Sequence, residues 1–128
     1  MASTATFFGT PRTAVAQVST ANTNRDGTGT LVDVMTGAAT GTRIDDIEIT
    51  AVAATTAGVV RLFLNDGSNS RLWREIMVSA ITPSTTTAVF SASLRDLGLI
   101  LASASWKLQA STHNAETFNI AVTKAGDA

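Results

Sequence analysis

The sequence predicts an all-β fold, an antiparallel two-sheet sandwich of about eight strands. Short runs rich in β-branched and bulky apolar residues recur at a spacing of roughly ten residues, with turn residues between them. No stretch shows the period of about 3.6 residues that is typical of an amphipathic helix. Thr and Ser make up roughly a quarter of the chain and Tyr is absent, a composition that favours strands and tight turns.

The strand count and spacing favour a jelly-roll-like arrangement of two four-stranded sheets. An immunoglobulin-like sandwich is the alternative, although the Cys and Trp spacing of that fold is missing. Because 128 residues is within the usual size of one domain, and no linker or repeat is present, we expect a single β-sandwich domain over residues 12–128. Residues 1–11 read as an extended N-terminal arm, which carries Phe7 and Phe8 and ends at Pro11.

The strands before and after residues 57–80 are predicted from the alternation of apolar and polar residues. Residues 12–19 and 30–36 predict two short strands, separated by a loop. In residues 42–53, side chains of period two give one apolar and one polar face. The apolar positions are Ile47, Ile49, Ala51 and Ala53, and the polar positions are Asp46, Glu48 and Thr50. Further strands are predicted at residues 86–95, 106–111 and 117–124, and the short apolar run at residues 97–101 is either a partial strand or a buried crossing.

Residues 57–80 predict a β-hairpin around an Asn/Asp/Gly/Ser turn. A loop of residues 66–70 places Arg61 opposite Glu75, whereas a loop shorter by one residue places Arg61 opposite Arg74, and like charges directly opposite each other are unfavourable. We therefore expect the longer loop. One face then carries Val60, Leu62, Leu64, Leu72 and Ile76. The other face carries Val59, Phe63, Trp73 and Met77 beside the Arg61–Glu75 pair.

Both faces of this hairpin are apolar, although a surface hairpin should bury only one. The last two predicted strands differ, because a hairpin pairing Leu108 with Ile120 has a single apolar face. We therefore expect the N-terminal arm or a neighbouring chain to cover the second face of the first hairpin. The predicted interface residues are Phe7, Phe8, Val59, Arg61, Phe63, Trp73, Glu75 and Met77.

Composition excludes several classes of function. There is no Cys, which excludes thiol nucleophiles and Cys-ligated metal centres. A net charge of -1 gives no electrostatic footprint for nucleic acid. The sequence has no signal-peptide pattern and no apolar run of membrane-spanning length, so we expect a product made in the cytoplasm, with no membrane partner. No phosphate-binding Gly loop is present, and we expect no cofactor.

Catalytic candidates are few. His113 is the only histidine, and Ser111 and Glu116 are its near neighbours on one tight loop, where a catalytic triad rarely assembles. We therefore expect His113 to make turn hydrogen bonds. Asp46 and Glu48 share a strand face, and a solvated face explains them better than a glycosidase pair. The sequence predicts a non-enzymatic protein.

One loop partly matches a calcium site. Asn22, Asn24, Asp26 and Asp33 have the alternate spacing of oxygen ligands in a calcium loop, and Gly27 occupies the sixth position. The match is incomplete, because the first residue is Asn, the last is Asp rather than Glu, and no helices flank the loop. An Asx-rich surface loop is the better interpretation, so we expect no metal.

The two tryptophans indicate a function of another class. Trp106 is in phase with Leu108 and is expected in the core, whereas Trp73 shares a face with Phe63 and is expected to be exposed. Phe63 and Trp73 would then form the platform of a carbohydrate- or receptor-binding sandwich. Binding of a partner protein and binding of a sugar are therefore both open at this point.

The segments RLFLNDGSNSRLWREIMV and LQASTHNAETFNIAV resemble those of small proteins encoded among the head and tail structural genes of tailed bacteriophages. The resemblance covers roughly residues 40–124. It implies a virion protein, and above all a capsid decoration (cement) protein, which binds across subunits of the major capsid protein on the capsid surface. Such proteins are often homo-oligomers, with trimers favoured. A phage tail or fibre component is the alternative.

Overall fold

The computed structural model describes residues 9–128, which form nine strands and no helix. Phe7 and Phe8 lie outside the described residues, and the remainder of the predicted arm from Thr10 onward belongs to the first strand. The strands are β1 Thr10–Val18, β2 Val32–Thr36, β3 Thr42–Ala51, β4 Gly58–Asn65, β5 Ser70–Val78, β6 Ser91–Leu94, β7 Leu99–Leu101, β8 Lys107–Thr112 and β9 Phe118–Asp127. No helix with the length and hydrophobicity of a membrane span occurs in this range.

The strands form two antiparallel sheets, which confirms the predicted sandwich. The first sheet has the order β1-β9-β3-β6, with β7 also paired to β3, and the second has the order β2-β8-β4-β5. Since β6 and β7 pair with successive parts of β3, they are two halves of one edge strand. Counted as one, they leave eight strands in the orders 1-8-3-6 and 2-7-4-5, which is a jelly-roll topology.

The core lies between the two sheets and follows the alternation of the central strands. In β3, Ile47 and Ile49 are completely buried, whereas Asp46 and Glu48 lie on the outer face of the first sheet. The predicted faces of this strand are confirmed from Asp46 to Ala51, but the strand ends at Ala51 and Ala53 is exposed. β7 and β9 add Leu101 and further apolar side chains to the same core.

The last two strands do not form a hairpin, and that prediction was wrong. β8 pairs with β2 and β4 in the second sheet, whereas β9 pairs with β1 and β3 in the first. Leu108 and Ile120, the predicted partners, are both completely buried and belong to the core between the sheets. Alternation identified their inward faces, but it does not identify the sheet to which a strand belongs. The outer face of β8 is buried as well, at Gln109 and Ser111.

β4 and β5 form the predicted hairpin, and it contains a β-bulge. Away from the turn, Arg61 pairs with Glu75 as predicted. Next to the turn, Asn65 pairs with Ser70, so the loop has the shorter of the two lengths considered. Both pairings coexist because Trp73 is an extra residue of β5 with no partner in β4, and a bulge of this kind shifts the register by one.

The bulge exchanges the faces of two residues at the turn end of β5. Trp73 packs against the core and Leu72 is exposed, which is the reverse of the prediction. On β4 the predicted core face is correct, because Val60 and Leu62 are completely buried within the core.

We expect Phe118→Ala to lower the free energy of unfolding by about 3–5 kcal/mol, because it leaves a cavity in the core. Phe118 is almost fully buried and its ring meets that of Phe90 edge to face, with centroids 6.2 Å apart. Met77→Ala, at a side chain that is 74% exposed, is the control and should change stability by less than about 0.5 kcal/mol. Urea denaturation measures both, and similar losses would contradict the described core.

Candidate functional site

The outer face of the second sheet is covered by the chain itself. Residues 19–31, here called the cover loop, connect β1 to β2. The Asn22 N–H donates to the backbone of β8 at one end of this face. At the other end, Gly27 lies so close to the Ser70 carbonyl that an added Cβ would approach its oxygen to 2.1 Å. Phe63 lies on β4 between these two points and is completely buried.

Arg61 is completely buried on the same face. Its Nε donates to Oε2 of Glu75 at 2.9 Å, and its Nη1 donates to the backbone oxygen of Asn22 at 3.1 Å. Its Nη2 lies 3.2 Å from Nδ1 of His113, which acts as the acceptor because a guanidinium has only donors. Removing one partner of a buried charge strongly destabilises the folded protein. The cover loop, the hairpin and the loop between β8 and β9 are therefore coupled through one side chain.

Glu75 connects the cover loop to the hairpin. Its Oε2 also accepts a hydrogen bond from Nε of Arg25, at 2.7 Å. The hydrogen bonds from Arg25 and then Arg61 lower the pKa of the Glu75 carboxyl below its ordinary value of 4.5. The Arg61–Glu75 pair predicted from the strand register is thus extended by a second arginine, which comes from a distant part of the chain.

The residues of the calcium-like pattern shape the cover loop. The Asn22 side chain donates to two backbone carbonyls of the loop and accepts the N–H of Asn24. Asp26 accepts both the hydroxyl and the N–H of one loop threonine, and these bonds lower its pKa. Asp33 lies in β2, where it pairs with Lys107. Within residues 9–128, no group of three His, Cys, Asp or Glu side chains is arranged to hold a metal ion.

Of the catalytic candidates, His113, Asp46 and Glu48 make contacts within the fold, whereas the buried Ser111 hydroxyl has no hydrogen-bond partner among the described residues. His113 contacts Arg61, and its backbone N–H donates to the backbone of β4. On the opposite side of the molecule, Asp46 and Glu48 both pair with Arg95 on the outer face of the first sheet. The oxygens of these two carboxylates therefore face the cation of a residue that directly follows β6. Their arrangement is that of a salt-bridged strand face.

Met77 is the most exposed large apolar side chain among residues 9–128, at 74%. It lies on β5, opposite the half-buried Val59. β5 is an edge strand, and within the described part of the chain no strand pairs with its outer side. The structure therefore leaves an apolar side chain beside backbone groups that another chain can pair with. Of the predicted interface residues, Val59 and Met77 have the accessible positions, whereas Arg61 and Phe63 lie beneath the cover loop.

Trp73 and Trp106 line a common groove of about 260 Å³ at the turn end of the hairpin. The sequence indicated different surroundings for them, but the bulge turns Trp73 toward the core side, where both indoles are partly buried. The other lining residues are Leu64, Asp66, Asn69, Arg71 and Leu72. Alternation could not reveal this groove, because the bulge that forms it breaks the alternation.

Comparison with known proteins gave structural matches only. No protein-family model and no curated protein matches the chain. A chain of the cyanophage Pam1 capsid asymmetric unit is similar with a TM-score of 0.48 and 14% identity, over 98% of this chain and 89% of that one. A pentameric capsid protein from metagenomic phage sequences has a TM-score of 0.38 and 17% identity, over 86% of this chain and 60% of that one. Likeness at this level does not transfer a function to this chain.

Glu75→Gln should make stability less dependent on pH in acid. Because the folded-state pKa of Glu75 is lowered, its carboxylate stabilises the fold above the ordinary value of 4.5, and this contribution is lost as pH falls through the folded value. We expect the variant to be less stable than the natural chain at pH 7, with the difference shrinking toward pH 3. Thermal denaturation across this range measures it. A difference that stays constant with pH would contradict the assignment.

Gly27→Ala should destabilise the protein more than Gly98→Ala. Both glycines have positive φ, +88° and +59°, so alanine at either position carries a backbone cost of about 1–2 kcal/mol. Only Gly27 faces a backbone oxygen, whereas a Cβ at Gly98 would meet nothing within 4 Å. Urea denaturation compares the two variants directly. Equal losses would mean that the cover loop does not need its close approach to Ser70.

Proposed function

We propose that this chain is a non-enzymatic structural protein of a phage virion, which decorates the capsid and stabilises it by binding across subunits of the major capsid protein. The observation that carries the proposal is the exposed Met77 on the unpaired edge of β5. The resemblance of residues 61–78 and 108–122 to phage structural proteins supports the same role. The protein would be made in the host cytoplasm and act on the capsid surface.

Attachment through an edge strand uses two kinds of interaction. The free N–H and C=O groups of β5 can pair with an extended segment of a capsid subunit, as in other cases of strand addition. Met77, with Val59 opposite it, adds apolar area, at about 25 cal/mol for each Å² removed from water. A specific interface needs about 800 Å² on each partner, so surfaces other than this edge must contribute.

The N-terminal segment is the second proposed contact. Phe7 and Phe8 lie outside the described residues and precede Gly9, whose N–H donates to the Asp127 carbonyl at 2.6 Å. Large aromatic side chains are enriched among the residues that dominate interface energies. We propose that this segment reaches a neighbouring subunit and that the chain acts as a homo-oligomer, with a trimer favoured.

Three of the predicted interface residues support the edge strand in this proposal, and they do not contact the partner themselves. Arg61, Phe63 and Glu75 fix the cover loop to the second sheet, and this holds β4 and β5 in place. A firmly held edge strand loses less conformational freedom on binding than a mobile one. Trp73 belongs to the groove at the other end of β5.

Met77→Asp should weaken binding to purified phage heads that lack this chain by about five- to thirty-fold, which corresponds to a loss of about 1–2 kcal/mol. Val15→Asp is the matched control, because Val15 is 72% exposed but lies on β1 of the other sheet. Co-sedimentation with the heads measures both variants. Equal losses, or no loss with Met77→Asp, would contradict attachment through β5.

Electron microscopy of intact particles tests the location. The proposal expects copies of this chain as separate density on the outside of the shell, bridging neighbouring capsid subunits. Density in the tail alone would support the alternative of a tail or fibre component and overturn the decoration role. Absence of the chain from the particle would overturn any virion role.

A further inference from the structure

The groove between Trp73 and Trp106 has no part in the proposed attachment. It lies at the turn end of the hairpin, whereas Met77 is four residues beyond Trp73, about 13 Å along β5 at roughly 3.3 Å per residue. The two indoles, with Leu64 and Leu72, give the groove apolar walls. An open apolar groove of this kind, with a few polar groups on its lining, has the general character of a small-molecule site.

Two arginines beside this groove form no salt bridge with a described residue, and together they outnumber its one carboxylate, Asp66. Five of the chain's arginines form ion pairs with Asp or Glu, and these are Arg12, Arg25, Arg43, Arg61 and Arg95. Within residues 9–128, Arg71 and Arg74 form no ion pair, and they stand on either side of Trp73. The Arg74 guanidinium lies 5.0 Å from the centre of the Trp73 ring system, and Arg71 lines the groove itself. Because Arg71 interacts electrostatically with Asp66, the two guanidiniums and this carboxylate leave one positive charge in excess, and a guanidinium is well suited to bind the carboxylate of a ligand.

The groove also has a fixed polar end. Oδ1 of Asp66 accepts the backbone N–H groups of Ser68 and Asn69, both at 3.0 Å. These bonds, first that from Asn69, lower the pKa of Asp66, and the nearby Arg71 charge lowers it further, so the carboxylate is ionised and held in position. Its second oxygen and the Asn69 side chain remain available to a ligand. A carboxylate and an amide are suitable partners for neighbouring hydroxyl groups.

We propose that this groove binds a sugar ring bearing a carboxylate, of the uronic acid class. The apolar C–H face of a pyranose ring packs on an indole, and its hydroxyl groups meet Asp66 and Asn69. The ring carboxylate then pairs with Arg71, which selects acidic sugars over neutral ones. The groove volume of about 260 Å³ accommodates a short oligosaccharide segment rather than a large ligand. This binding activity is independent of attachment to a capsid.

Intrinsic fluorescence of the full chain tests the proposal directly. The chain has two Trp and no Tyr, so its emission reports on this groove alone. The probes are galacturonic acid oligosaccharides and, for comparison, neutral galactose oligosaccharides of the same length. We expect a saturable change in emission with the acidic probe and at least a tenfold weaker response with the neutral one.

Arg71→Gln should weaken the acidic response at least tenfold, and its exposed position leaves the fold intact. Lys124→Gln is the matched control, because it removes one positive charge from an exposed position of the other sheet. Equal losses in these two variants would show non-specific attraction of a polyanion and overturn the proposal. So would the absence of a saturable response to any probe, or equal responses to acidic and neutral probes.

Met77→Asp separates this inference from the proposed function. We expect it to keep the full response to the acidic oligosaccharide, since Met77 is distant from the groove. If Arg71→Gln instead abolished binding to phage heads and left the oligosaccharide response unchanged, the groove would be a protein-docking site and the sugar proposal would fail. Failure of head binding in every variant would affect only the decoration role.

Discussion

A completely buried guanidinium organises the second sheet. A guanidinium is a charged group that has only hydrogen-bond donors, so the fold must surround the buried Arg61 with acceptors. Glu75, the backbone of Asn22 and the ring of His113 do so from three segments that are distant in sequence. The cover loop is therefore held in two ways. It supplies an acceptor to the buried charge of Arg61, and it contacts the face of the second sheet that carries Phe63. The second sheet becomes the middle layer between the core and this loop.

Closing that face determines where partners can bind. The first sheet presents a salt-bridged outer face, and the second presents a loop. The most exposed large apolar side chain of residues 9–128, Met77, lies on β5. Met77 marks one end of this strand, and the groove of Trp73 and Trp106 marks the other. One edge strand can therefore serve a protein partner and a small ligand at separate positions. Both proposals depend on the cover loop, since without it the sheet would expose a competing apolar surface.

Alternation predicted the inward faces of β3 and β4 because it is a property of each strand alone. The repulsion between Arg61 and Arg74 likewise selected the correct Arg61–Glu75 pair. Sheet membership was not predictable in the same way, since Leu108 and Ile120 have the same pattern whether their strands pair or face each other. The cover over Arg61 was also hidden, because a loop that lies far away in sequence provides it. The pattern at Asn22 indicated an Asx-rich loop, but not that its amide closes this loop by donating to two of its backbone carbonyls.

The bulge at Trp73 affects how the sequence of this hairpin can change during evolution. Loss of that single codon would leave Asn65 opposite Ser70 and Arg61 opposite Glu75, since Trp73 has no partner in β4. The ladder would become regular, and one wall of the groove would disappear with the indole. The register of the hairpin therefore does not depend on Trp73, whereas the groove does.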